Sequence, residues 1–302
     1  MTWIGWRRYF EHQQRRPLPA IAEPAGLTPA RRQALIWSLA RFQLGETGEG
    51  RIARDIWRVR LSSIDDDYRI ALGLFVKEEG RHARVLAQVV RVLGGELLAR
   101  SWSERAFRLA RRALGTRTKL LALLAAEAVG IGFYSLFAAA LPAGAMRAAL
   151  EEIACDERAH LRFHADFFAA EAPRGWRALV FRAAWAGIGA AAVLMALGDH
   201  RRTLRTLGIP LRHAVQVFAA LIRDGGGQRQ LGPRSLRSPP PVCGGRFSER
   251  AGLASAAPGD SRTPLTLTLS PADGGEGMRR DGGEGMRRDG GPGRLAALEV
   301  AS

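Results

Sequence analysis

A Glu-x-x-His pair occurs twice in this chain. Glu79 and His82 recur 78 residues later as Glu157 and His160. Residues three apart share one face of an α-helix. Both pairs also sit in apolar series that step by four and three. Tyr68, Leu72, Phe75, Leu86, Val89 and Leu93 surround the first; Met146, Leu150, Ile153 and Phe167 surround the second. Such a series is the seam of a bundle helix. Each pair therefore puts a carboxylate and an imidazole where a core belongs. Burial of such groups is costly unless they are paired, and a metal ion is one common partner. One pair recurs by chance on many helices; two on two amphipathic helices constrain the chain to an all-α fold with a polar centre.

Helix signals complete the pattern. Thr28-Pro29 reads as an N-cap with proline at the first helical position, opening a helix expected to run to about Leu61. Its seam is Leu35, Leu39, Phe42, Glu46, Glu49, Ala53 and Ile56. Ser63 with Asp66 resembles a capping pair for a second helix, ending near Gly94-Gly95. A third covers about Thr118–Ala140, almost wholly apolar except Glu127, and Pro142 stops it. A fourth spans about Ala145–Glu171, before Pro173. The 78-residue shift carries Glu49 onto Glu127, so each hairpin holds one Glu thirty residues before its Glu-x-x-His. The predicted set is Glu49, Glu79, His82, Glu127, Glu157 and His160. Four carboxylates and two imidazoles suit two iron ions, with manganese or a mixed pair as alternatives.

Over Thr28–Glu171 the chain resembles the ferritin-like superfamily, nearer its rubrerythrin-like and oxygenase branches. The resemblance implies an antiparallel four-helix bundle with a crossover between helices 2 and 3, here the basic segment of about Trp102–Leu114. FQLGE resembles the first-helix context of rubrerythrin and favours Glu46 over Glu49; both are kept as candidates. The resemblance also implies O2- or peroxide-dependent oxidation by a di-iron oxidoreductase, with a separate electron donor because no Cys-x-x-Cys module is present. An apolar lining around Phe42, Phe75, Ile131 and Phe163 would suit a hydrophobic substrate. Iron binding, storage or detoxification, and a non-catalytic membrane-associated bundle, are the alternatives.

Other residues read more plainly. His164 lies one turn beyond His160 and suggests a hydrogen-bonded helper more than a ligand. Glu78, Glu152 and Asp156 lie off the seam, solvated or supporting the ligands. Tyr134 reads as core, and Cys155 as a small core hydrophobe.

The chain divides into an N-terminal arm (1–27), a helical body with one or two accessory C-terminal helices (28–223) and a low-complexity tail (224–302). The arm carries Trp3, Ile4, Trp6 and Phe10, expected to rest on the body. Gly175–Gly198 is long enough to consider as a membrane span, but Arg182 lies inside it, and packing across the bundle is the preferred reading. The tail is expected to be disordered. It repeats DGGEGMRR in tandem, and TPLTLTLSPADGGEG resembles translated bacterial intergenic repeat. Two distant cysteines suggest no disulfide framework and a cytoplasmic location. The formal charge of +16 comes without a nucleic-acid motif, so no specific nucleic-acid partner is expected. Peripheral membrane contact and a homodimer stay open.

Overall fold

The computed structural model describes residues 1–47, 50–61, 63–102, 116–171 and 175–226. Among them are eight α-helices and no strand. These are α1 (Trp3–Gln13), α2 (Pro29–Glu46), α3 (Gly50–Asp55), α4 (Asp66–Val92), α5 (Thr116–Ala140), α6 (Ala145–Ala170), α7 (Trp176–Thr206) and α8 (Leu211–Gly226).

Thr28 caps α2 as expected, its hydroxyl accepting from the Arg31 N–H at 3.3 Å, with Pro29 following. The helix stops at Glu46, well short of Leu61. Gly45 lowers helix propensity here, and Thr47 Oγ1 donates to the Leu44 carbonyl at 2.7 Å. A short α3 and a 3-10 turn, Ile56–Arg58, replace the rest of the expected helix. The α4 cap is Asp65, accepting from Tyr68 N–H at 2.8 Å, in place of the expected Ser63–Asp66 pair. Ser63 instead donates to Glu171 just past α6. At the other end of α4, Gly94 takes φ +78°. Gly95 N–H reaches back to the Val90 carbonyl and Gly94 N–H to that of Arg91, a Schellman closure.

The helices α5 and α6 form the most extensive pairing, joined by the short connection through Pro142. The other main pairing is α2 with α4, and α4 also meets α6. Two apolar clusters fill the interior. One gathers Leu35, Leu39, Leu86, Val89, Phe133, Tyr134 and Phe137. The other gathers Trp6, Phe10, Tyr68, Phe75, Leu124, Ile131, Phe163 and Phe167. Along α4 the two meet at Glu78–His82, and along α6 at Asp156–His160.

The arm packs on the body, as expected. Trp6 and Phe10 are fully buried, and Trp6 Nε1 donates to Asp166 Oδ2 at 2.8 Å. Beyond α6, the expected Gly175–Gly198 helix continues to Thr206. Ser38, His200 and Thr203 form a buried polar contact that holds α7 against α2. Gly132 lets Phe218 of α8 lie against α5; a Cβ there would sit 2.1 Å from Phe218 Cε1.

Among the described residues, two helical stretches are long and apolar enough to cross a membrane, Thr118–Ala140 and Ala178–Thr206. The first is 89% buried inside the fold and carries Glu127. Of the second stretch's most apolar window only 11% is buried. Cys155 lies half-buried on α6. The expected crossover of about Trp102–Leu114, apart from Trp102 itself, and the tail beyond Gly226 lie outside the described residues.

Candidate metal centre

The seam brings both Glu-x-x-His pairs face to face. One atom from each of Glu79, His82, Glu157 and His160 lies within 4.8 Å of the others, and all four residues are buried. The imidazoles present Nδ1 to the cluster. His82 Nδ1 stands 3.1 Å from Glu157 Oε1 and 3.8 Å from Glu79 Oε1. His160 Nδ1 stands 2.8 Å from Glu79 Oε1, 3.2 Å from Glu157 Oε2 and 3.7 Å from Glu127 Oε2. Glu127 thus joins from α5. Glu46 joins from the last turn of α2: Tyr134 Oη donates to its Oε1 at 2.5 Å, and the charge of Glu79 is felt at Glu46. Glu49, the other helix-1 candidate, lies outside the described residues.

The outward nitrogens are held by carboxylates. His82 Nε2 meets Asp156 Oδ2 at 3.1 Å, and His160 Nε2 meets Glu78 Oε2 at 3.0 Å. Each support comes from the other helix, and each is the residue just before that helix's own Glu-x-x-His. The 78-residue shift that relates the ligand pairs also relates Glu78 to Asp156. That relation was available in the sequence; their off-seam positions hid it. Arg16, in the lead-in after α1, joins the two supports. Its Nη2 donates to Glu78 Oε1 at 2.5 Å and Asp156 Oδ2 at 2.7 Å. Arg81 donates to Glu152 Oε1 at 2.6 Å, and Arg16 Nη1 reaches the same oxygen at 3.3 Å. No periodicity marks Arg16, so sequence reasoning missed it.

The electrostatics follow from crowding carboxylates in a dry space. Burial, then the charge of Glu79, holds Glu46 well above the usual carboxylate range. Burial, then the charges of Glu157 and Glu79, does the same to Glu127. Burial also opposes ionisation of Glu157, but hydrogen bonds with Glu127, His160 and His82 hold it well below that range. Burial alone would lower His82; its bonds to Asp156 and Glu157 outweigh this and push it up to about 10. His160 is raised likewise, burial being outweighed by the charge of Glu79 and its hydrogen bonds. Protons therefore balance the negative charge of this cluster, where a divalent ion would do so instead.

Several inward atoms face one another closely without a well-aligned hydrogen bond: Glu79 Oε1, His82 Nδ1 and Glu157 Oε1. Buried polar atoms are rarely left so. Convergent oxygen and nitrogen donors, backed by supports on the far imidazole nitrogens, fit a bound metal ion.

A cavity of about 610 Å3 opens beside the centre, between α2 and α4. Its wall includes Glu46, Gln43, Leu18, Val76, Ala83, Ala87 and Leu97, with Arg84 and Arg91 also contributing. The expected lining is different. Phe75, Ile131 and Phe163 fill the cluster under α1, and Phe42 packs against Phe133, Tyr134 and His200. The arm's aromatic rings take up the first of these positions, which is why the open space falls on the α2 side.

Comparison with protein-family models, with curated proteins and with solved structures finds no match to this chain.

Proposed function

We propose that the chain is a dinuclear metal protein of ferritin-like type, catalysing O2- or peroxide-dependent oxidation. The observation that carries this reading is the doubled Glu-x-x-His, buried, with a carboxylate behind each imidazole. Glu46, Glu79 and His82 would hold one ion; Glu127, Glu157 and His160 the other. Glu49 keeps its place as a candidate from the repeat. Bound iron, or manganese, would supply the one-electron chemistry that reduction of O2 or peroxide needs. The chain's own contribution is to fix the imidazoles through Glu78 and Asp156, to balance charge through Arg16, and to exclude water with the two apolar clusters. A separate electron donor is part of this proposal.

The cavity beside Glu46 supports a small hydrophobic substrate. The exposed apolar side chains of α7, among them Trp176, Leu179, Val180 and Leu194, support a membrane-peripheral position. Flotation with anionic phospholipid vesicles tests that position; a chain left at the bottom of the gradient contradicts it.

Metal analysis of the purified chain tests the central claim. Two iron or manganese ions per chain are expected, with an absorbance change when anaerobic Fe(II)-loaded protein meets O2. Glu157→Ala and Glu127→Ala should each lower the metal content. A chain that takes up no metal, and is unaltered by either substitution, leaves only a helical scaffold.

A further inference from the structure

The two Glu-x-x-His pairs are related by the 78-residue shift, but a buried histidine beside one of them has no counterpart. His164, one turn beyond His160 on α6, maps onto Leu86 of α4. His164 is fully buried, and neither ring nitrogen has a hydrogen-bond partner. Its Nε2 lies 3.8 Å from Glu127 Oε1, beyond hydrogen-bond distance. The ring is fixed by an edge contact with Phe75, centroids 5.0 Å apart, and by Phe163 at 5.4 Å. Leaving both nitrogens of a buried imidazole unsatisfied costs free energy that packing alone does not require here. A phenylalanine or leucine would fill an aromatic-lined site without that cost.

We infer that His164 is a further nitrogen donor to the metal position held by Glu127, Glu157 and His160, making the two positions of the centre chemically unequal. The α5–α6 position then has two imidazoles, and the α2–α4 position has one, His82. Leu86 offers no donor at the corresponding place, and the α2–α4 side borders the cavity through Glu46. For first-row divalent ions, replacing an oxygen donor by imidazole favours the later, softer metals. The α5–α6 position should therefore fill first and hold its ion, while the position beside the cavity fills second and exchanges. This inference rests on the metal-centre reading and goes beyond it by assigning an order of loading.

The test is anaerobic titration of the metal-free full chain with Co(II), followed by calorimetry and visible absorption. Two equivalents should bind in separate steps, the first about tenfold tighter or more. His164→Phe and His164→Gln should weaken only the first step, bringing the two within about threefold of each other and altering the first-step spectrum. Equal steps in the wild type would overturn the inference, as would unequal steps that neither variant changes. If the variants do not fold, pulsed electron paramagnetic resonance on the wild type with one equivalent of Mn(II) decides. Two coordinated imidazoles support the assignment, and one overturns it. A wild type that binds neither ion removes this inference together with the metal-centre reading; equal binding at both positions removes this inference alone.

Discussion

The hairpin of α5 and α6 and the pairing of α2 with α4 contribute matching donors to one centre, yet they are built differently. The helices α5 and α6 run unbroken past the site and bury their inner faces between two apolar clusters. In contrast, α2 ends on its own site residue, Glu46, and the space beyond opens into a cavity. The closed half carries His164 where the open half carries Leu86. The repeated elements set which atoms meet; the departures from the repeat set access and inequality. A symmetric donor set with one open flank gives a centre that can be reached from one direction only if the open half tolerates change that the closed half does not.

The largest effect should be the pH dependence of the metal-free chain, where raised His82 and His160 act with one sign and lowered His164 with the other. His82 has a folded pKa of about 10, above its unfolded value. Its contribution is complete below about pH 6.5 and is lost as pH rises through 10, at about 1.4 kcal/mol per pH unit between them. Raised Glu46 and Glu127 work in the same direction, since folding disfavours their ionisation. Burial, then the charge of His160, lowers His164 to about 3. It stays neutral in the fold, so its contribution is present above about pH 6.5 and is lost as pH falls toward 3. Urea denaturation with chelator from pH 5 to 9 should show stability falling toward pH 9. His164→Phe should reduce the acid-side slope, to which buried His200, lowered to about 4, also contributes, and leave the alkaline side alone. A variant that flattens the alkaline side instead would show that His164 is not held neutral in the fold.

Arg16→Ala should come next, and should affect both halves alike. It removes the cation shared by Glu78 and Asp156, which are 1% and 0% exposed. Loss of one partner from such a buried network costs about 3–5 kcal/mol. Denaturant midpoints of the metal-free chain give the value. Below this lie the separate supports. Glu78→Gln acts on His160 and Asp156→Asn on His82, each lowering metal affinity about 10–100-fold. Competition titrations should show the first variant weakening the tight step and the second the loose one. Both variants weakening one step would show that the imidazoles do not divide between the halves.

How much of this was readable in the chain follows from which forces are periodic. The seam series around Glu79, His82, Glu157 and His160 obeyed helical spacing, so α4 and α6 and their inward residues were predictable. Glu127 stood out as one acid in an apolar helix. The break after Glu46 was not foreseen, because the seam continued through Glu49 while Gly45, Gly48 and Gly50 weakened the backbone beneath it. Arg16 and the Tyr134–Glu46 hydrogen bond were hidden for another reason. Both depend on which surfaces meet in three dimensions, and no local spacing records that. Glu78 and Asp156 fall between these cases, since they sit off the seam by one residue but on the repeat.

The smallest effect offers the most direct check on the difference in access. Ala87 of the open half corresponds to Ala165 of the closed half, and both are buried, at 7% and 6% exposure. Ala87 lines the cavity. In a close-packed interior, an enlarged side chain forces neighbours out of their rotamers at about 1–3 kcal/mol. Ala165→Leu should fall in that range. Ala87→Leu can extend into existing space and should cost less than about 1 kcal/mol, because little packing is disturbed. It should also leave two metal ions bound while slowing exchange of the looser one several-fold, since the added side chain narrows the approach to Glu46. Denaturant midpoints and chelator-driven release rates measure the two quantities. Equal costs at both alanines, with unchanged release, would mean that the cavity is not the way in.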